Sequence, residues 1–314
     1  MSRPSAAEIA PIVADLENRL LAAEKLDDSI ALESLASSLA GLPIGQQASF
    51  AVGKRCLERG RLGEAQVFLL VSAAGRDPAL AAASLQNLAR ISEKADRYAD
   101  SLYFRRELAQ RFPDQPLADG ETGRTALDKI LADASWMNRT QSTPTPWKYD
   151  QVAVRSERNA IVDAGRRILL PSQTGLPYFT DRTLLFEPRN WSIQVLERTT
   201  GAQLWKAPLP LKSQNTPIRF EHFGNMAFCA VGDAVCALST LDQRLVWNRK
   251  LTDSRLGAAA GQGALVVYPG MAMPGSPIAL VGPGFLAVRV GKDLLLLDAW
   301  TGRELWQARN VEPE

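Results

Sequence analysis

Cysteine is scarce: Cys56, Cys229 and Cys236 are the three in 314 residues, too few for a disulfide framework and lacking any Cys-x-x-Cys metal spacing. Histidine is scarcer. His222 stands alone, so neither a zinc centre of the usual kind nor a Ser-His-Asp triad has supporting residues at a useful spacing, and His222 reads as a strand or loop histidine. Charge of one sign is missing too. Thirty-six Lys and Arg stand against 34 Asp and Glu, a net +2 that gathers no polyanion, so nucleic acid is not an expected partner. No apolar run reaches the 18 residues of a membrane-spanning helix. The richest region, 263–284, is broken by Pro269, Pro274 and Pro277. Glu8 and Asp15 interrupt any apolar core of a secretion signal, so the chain is expected either to be cytoplasmic or to lack its true start. The glycine-rich stretch 257–263 has no following Lys-Ser or Lys-Thr and fails as a phosphate cradle.

What is present divides in two. Residues 10 to 137 are rich in Ala, Leu, Glu and Arg at helical spacing, with few β-branched runs. Pro43, Pro78 and Pro113 lie 35 residues apart, and Ala31, Ala65 and Ser101 put a small residue at spacings of 34 and 36, where paired helices must touch. The segments 60–65 and 95–101 have the turn-then-small-residue form of a helix-turn-helix unit. This half resembles tetratricopeptide repeats, with an irregular helical bundle as the alternative. A segment from Leu117 to Trp147, containing Asp119-Gly120-Glu121-Thr122-Gly123, a short helix and then a Ser-, Thr- and Pro-rich run, is expected to link two domains. The boundaries read as 1–137, a linker 138–146, and 147–314.

After the linker the period changes. Leu184–Trp205, Met226–Trp247 and Phe285–Trp306 superimpose without a gap, and Gly232 and Gly291 each stand 15 positions before the tryptophan, with Asn190 in the first segment. Gly and Asn tolerate the positive φ of a two-residue hairpin. Each segment is therefore expected to run strand, tight turn, strand, turn, tryptophan. The runs Val235-Cys236-Ala237-Leu238 and Leu294–Leu297 are apolar on both faces, as strands buried on both sides are. Cys229 and Cys236 face each other across the middle hairpin as a hydrogen-bonded pair and are expected to remain free thiols.

The units close on a shared pattern. Asp298, Thr301, Gly302 and Trp306 in the last unit, and Thr200, Gly201 and Trp205 in the first, resemble the Ala-x-Asp-x-x-Thr-Gly-x-x-x-Trp motif of pyrroloquinoline-quinone-like (PQQ-like) β-propeller repeats. The middle unit keeps Trp247 but has Asp242-Gln243 for Thr-Gly. The resemblance implies a multidomain α plus β chain, with tetratricopeptide-like helices followed by an incomplete PQQ-like β-propeller. Three tryptophan-closed units and a partial one in 152–170 fall short of the four to eight blades of a closed propeller, so the sequence reads as a piece of a longer chain. BamB-like relatives imply a non-catalytic scaffold for protein partners in the periplasm or cell envelope. Quinoprotein relatives imply the alternative, a fragment of a PQQ-dependent alcohol or sugar dehydrogenase, but the adjacent cysteines of the alcohol-oxidising members are missing. No catalytic, metal or cofactor residue is assigned; the motif residues are expected to be structural, with each tryptophan ring between neighbouring blades.

Two further surfaces stand out. The spacing from Trp247 to Trp306 is 59 residues against 42 for the previous pair, and the inserted segment carries Tyr268, Met271 and Met273 as an apolar contact. On the helical half, Arg105, Arg106 and Arg111 are placed to read acidic partners across a concave groove.

Overall fold

The computed structural model describes residues 6–140, 159–162, 166–169, 176–187, 189–198, 200–210, 218–231, 234–251, 278–290, 293–309 and 311. Its first part is a run of helices: α1 (Ala6–Lys25), α2 (Ser29–Ser38), α3 (Pro43–Glu58), α4 (Leu62–Ala73), α5 (Pro78–Lys94), α6 (Tyr98–Arg111), α7 (Gly123–Ala132) and α8 (Ala134–Asn138). Local signals set their ends. Asp28 caps α2, Asp77 caps α5, and Pro43 and Pro78 sit in the first turns of α3 and α5, where a missing N–H costs nothing. Asp27, Gly60 and Asp96 each take a positive φ at the turns between α1 and α2, α3 and α4, and α5 and α6. Each of the first six helices packs on its neighbour in sequence.

Pro113 keeps the spacing of Pro43 and Pro78 but, unlike them, opens no helix. It follows α6, and the next helix starts only at Gly123, after a turn closed by the Pro116–Thr122 bridge. Much of the segment expected to link two domains is therefore helical. Residues 141–158, with most of the polar run, lie outside the described residues.

The second part is three antiparallel sheets. Sheet one orders β1 (Asn159–Val162), β2 (Arg166–Leu169), β3 (Arg182–Glu187), β4 (Ser192–Glu197) and β5 (Gln203–Pro208), with the short helix α9 (Pro177–Asp181) before β3. Sheet two orders β6 (Ile218–Phe223), β7 (Met226–Val231), β8 (Ala234–Ser239) and β9 (Arg244–Lys250). Sheet three orders β10 (Ile278–Gly282), β11 (Phe285–Val290), β12 (Asp293–Asp298) and β13 (Glu304–Ala308). Each is a meander of consecutive strands, and among the described residues the sheets do not close on one another into a ring. The strands of the partial unit form no separate sheet. They join sheet one through the pairing of β2 with β3.

Register holds in sheets two and three, where Val231 pairs with Ala234 and Val290 with Asp293; Gly232-Asp233 and Gly291-Lys292 themselves lie outside the described residues. Sheet one differs. There Glu187 pairs with Ser192, leaving a four-residue connection with Trp191 at positive φ, so Asn190 does not occupy a two-residue turn. Pro188 has no N–H for a ladder, which is reason enough for β3 to stop before it. The inserted segment with Tyr268, Met271 and Met273 lies outside the described residues.

Helices and sheets share their core. One apolar cluster runs from Leu20 in α1 through Leu69 and Phe104 to Trp205 and Leu238, and a second joins Val67 of α4 to Phe228, Trp247, Leu286 and Leu297. α4 is buried around nearly its whole circumference, as its Val-Phe-Leu-Leu-Val run demands. β8 is buried at every position, whereas Leu294 and Leu296 of β12 are half-exposed on the face of sheet three away from sheet two.

Candidate functional site

The site is the seam where helices meet blade-closing turns. In sheet three Asp298 Oδ1 accepts from the N–H groups of Trp300 (3.0 Å) and Thr301 (2.7 Å) and from the Thr301 hydroxyl (2.9 Å). Its other oxygen leaves the turn. Oδ2 accepts from Ser37 Oγ of α2 at 2.8 Å. In sheet one the same positions are Glu197, Thr200 and Gly201, and Thr200 Oγ1 donates to Glu197 at 2.6 Å. Sheet two exchanges the roles: Ser239 Oγ donates to Asp242 Oδ2 at 3.0 Å, and Asp242 Oδ1 accepts from the Gly63 N–H of α4 at 3.3 Å. Gly201 and Gly302 turn at φ 69° and 68°, and Gln243 takes φ 54° at the equivalent position despite its side chain.

The three tryptophans do not dock alike. Trp247 is 9% exposed and donates its indole N–H to the Ala299 carbonyl of the next sheet at 3.1 Å. A Cβ on Gly302 would stand 2.6 Å from that ring, so both φ and contact require glycine there. Trp205 is 7% exposed, but its N–H goes to the Tyr178 hydroxyl at 3.2 Å rather than to sheet two. Trp306 is 53% exposed, contrary to the expectation that every ring is sandwiched, because among the described residues no sheet lies beyond it.

An arginine at the N-terminal end of α6 takes the acceptor that Trp205 leaves. Thr240 is the counterpart of Ala299, and Arg97, just ahead of α6, donates to its carbonyl and to Asn225 Oδ1, with a further bond to Thr240 Oγ1 at 3.2 Å. The guanidinium lies 3.7 Å from the centre of the Tyr178 ring. Burial lowers its pKa from the usual guanidinium range, with Tyr178 and Asp100 pulling the other way. Asp100 in turn accepts from the Tyr178 backbone N–H at 2.8 Å, and Gln66 of α4 accepts from the Asn225 N–H at 2.9 Å.

Beside this seam a cleft of about 340 Å³ opens between Trp205 and Gln243, the pair whose counterparts Trp247 and Gly302 touch. Arg97, Arg139, Arg182, Tyr98 and Tyr178 also line it, together with Asp96 and Asp100.

The other arginines marked in the sequence serve the helices. Arg105 pairs with Glu93 at 2.8 Å, Arg111 donates to the Ala73 carbonyl at 2.9 Å, and Arg106 is exposed. His222 stacks on Phe179 with ring centres 4.5 Å apart. Cys229 pairs with Cys236 in register, and both thiols are free and fully buried. Sequence reasoning missed Arg97, Tyr178, Asn225, Thr240 and Ser37. None sits in a motif; the one trace is that Arg97 falls in the turn segment 95–101.

These features define a protein of three antiparallel meander sheets, one of five strands and two of four, each ending in a tryptophan-bearing strand, with helices packed on their turns. The chain belongs to the family described as outer membrane protein assembly factor BamB, whose model matches residues 134–314. Among solved structures, BamB from Moraxella catarrhalis is similar at 14% identity over 41% of this chain and 33% of its own length, with a TM-score of 0.28. The dihydro-heme d1 dehydrogenase NirN, in complex with DHE, is similar at 13% identity over 62% of this chain and 38% of its own length, with a TM-score of 0.29. The chain thus spans about a third of the length of each. No curated protein matches it. Membership in the family comes from residues 134–314, not from these overlays.

Proposed function

We propose that this chain is a non-catalytic scaffold for protein partners in the cell envelope, made of a tetratricopeptide-like helical unit (1–137), a linker (138–146) and blades of an incomplete PQQ-like propeller (147–314). One observation carries the reading. The polar side chains of the blade-closing motif are committed to the turns and to the helices, with Asp298 bonded on one oxygen to its own turn and on the other to Ser37. Such groups hold elements together and present nothing to a substrate. The description of the family as an outer membrane assembly factor supports both the scaffold role and the envelope location. No helix among the described residues is long and apolar enough to cross a membrane, so attachment through such a helix forms no part of the proposal.

On this reading partners meet surface that the blades leave open. The helix faces of Ser37, Gly63 and Gln66 are covered by sheets two and three, while Ile12 and Leu26 are exposed. Photo-crosslinking from residues placed at Ile12 and Leu26 should give protein adducts of discrete mass, with none from the buried position Leu69. Absence of adducts from both exposed positions, or dye-linked oxidation of alcohols or sugars at enzyme-like rates with added quinone and Ca²⁺, would overturn the proposal.

A further inference from the structure

We infer that the cleft between Trp205 and Gln243 binds a carboxylate carried on an apolar or aromatic body, such as an acidic side chain of a peptide. The cleft exists because the blade-to-blade contact is interrupted there. Where Trp247 meets the Gly302 turn the ring leaves no gap, but Trp205 bonds Tyr178, Arg97 bonds Thr240, and space of about 340 Å³ remains between them. That is within the range of small-ligand sites, roughly 300–1,000 Å³.

Its lining selects the ligand. Arg97 lies over the Tyr178 ring, Arg182 stands 5.7 Å from the same ring centre, and Arg139 stands 5.0 Å from that of Tyr98. Arg97 spends its N–H groups on Thr240 and Asn225 and so offers the cleft its charge, whereas Arg139, stacked on Tyr98, has in-plane donors left for a planar oxyanion. Arg139 gives Tyr98 Oη one of its donors, at 2.5 Å. The first turn of α6, also on the wall, has no side-chain cap, so its amides add to the positive field. Against three guanidiniums stand two carboxylates, Asp96 and Asp100, a balance of one positive charge. A monoanionic carboxylate suits that balance, whereas a phosphate dianion or a nucleic acid would meet both acids. Trp205, Tyr98 and the half-exposed Leu204 supply the apolar floor.

The peptide source rests on the scaffold reading; the carboxylate chemistry does not. The test is calorimetric titration of the full chain with the blocked peptide acetyl-Ala-Glu-Phe-amide, its Gln counterpart, 3-phenylpropanoate and inorganic phosphate. The Glu peptide should bind at least about tenfold more tightly than the Gln peptide, and Arg139→Gln should weaken it by about tenfold, as loss of a charge-assisted pair does. Arg106→Gln, on the same helical half but away from the cleft, should leave binding unchanged. Melting temperatures of both variants check that they fold. If phenylpropanoate binds as well as the peptide, the carboxylate site stands and its ligand is a free small acid. That result leaves the crosslinking test of the scaffold untouched. Equal binding of the Glu and Gln peptides, preference for phosphate, no binding of any carboxylate probe, or an unchanged affinity in Arg139→Gln would each overturn the inference.

Discussion

The two seams between neighbouring blades use the same repeat and different chemistry. Between sheets two and three the contact is blade to blade: Trp247 reaches the Ala299 carbonyl, and Arg249 of β9 bonds both the Gly302 carbonyl (3.2 Å) and Glu304 (2.9 Å). Between sheets one and two Arg97 of the helical half takes the Thr240 carbonyl, and Tyr178 of α9 receives the Trp205 N–H. A repeat therefore specifies its own turn, while what docks on the turn depends on what the rest of the chain brings to it.

The largest expected effect tests whether docking or mere possession of the motif matters. Trp247→Ala should cost about 3–5 kcal/mol, as truncation of a buried aromatic does, while Trp306→Ala at its exposed position should cost less than about 1 kcal/mol. Urea unfolding of both variants measures this, and equal losses would erase the distinction between docked and undocked units. Arg97→Met comes next. It strips donors from the Thr240 carbonyl and Asn225 Oδ1, and the loss of bonds to a charged group should be about 3 kcal/mol by the same measurement. Retained stability would mean that the first seam holds without the helices.

Thiols sharpen the contrast between the middle blade and the helices. Burial pushes the Cys236 thiol up to about 12 and raises Cys229 well above its usual value, with the neighbouring thiol adding to the effect; Cys56 in α3 is pushed up to about 12 by burial and by Glu64. Unfolded thiols ionise from about pH 8.5, so above that pH the unfolded state binds fewer protons than the folded one. Stability is thus intact below about pH 8.5 and should fall as pH rises towards 12, by up to about 1.4 kcal/mol per pH unit for each thiol. Denaturant midpoints from pH 8 to 10.5 would follow it, alongside alkylation of the denatured, unreduced protein. A flat profile, or a Cys229–Cys236 peptide pair lighter by two hydrogens, would show that the thiols are not buried and free.

The smallest effect lies at Gln243, which holds φ 54° where the other two turns have glycine. Gln243→Gly should raise stability by about 1 kcal/mol, since the left-handed conformation costs a residue with a Cβ roughly that much. A fall in melting temperature would mean that the glutamine side chain contributes to the seam.

What could be read from the chain was whatever is local. Thr-Gly turns, the 42- and 59-residue spacings and the facing of Cys229 and Cys236 all follow from residues near one another in sequence, and the strands β8 and β12 lie where the apolar runs predict them. The gap-free overlay failed in sheet one because the connection after Glu187 holds four residues rather than two. The burial of Trp306 failed for another reason: it depends on a neighbouring sheet, which no residue of the unit itself encodes. Arg97 was invisible, since its partners Asn225 and Thr240 lie 128 and 143 residues away and no pattern links them.

Those separations have a consequence for how the chain is made. Ser37 must wait for Asp298, 261 residues later, and Gly63 for Asp242, 179 residues later. Long-range pairings of this kind slow folding, and domains form from the N-terminus during synthesis. The ribosome therefore releases α4 long before the strands that cover Val67 and Leu70 exist, and Val71 before the Gly284 turn it touches. A nascent chain stalled near residue 200 should expose this apolar helix to holdase chaperones, and one that has passed residue 300 should not.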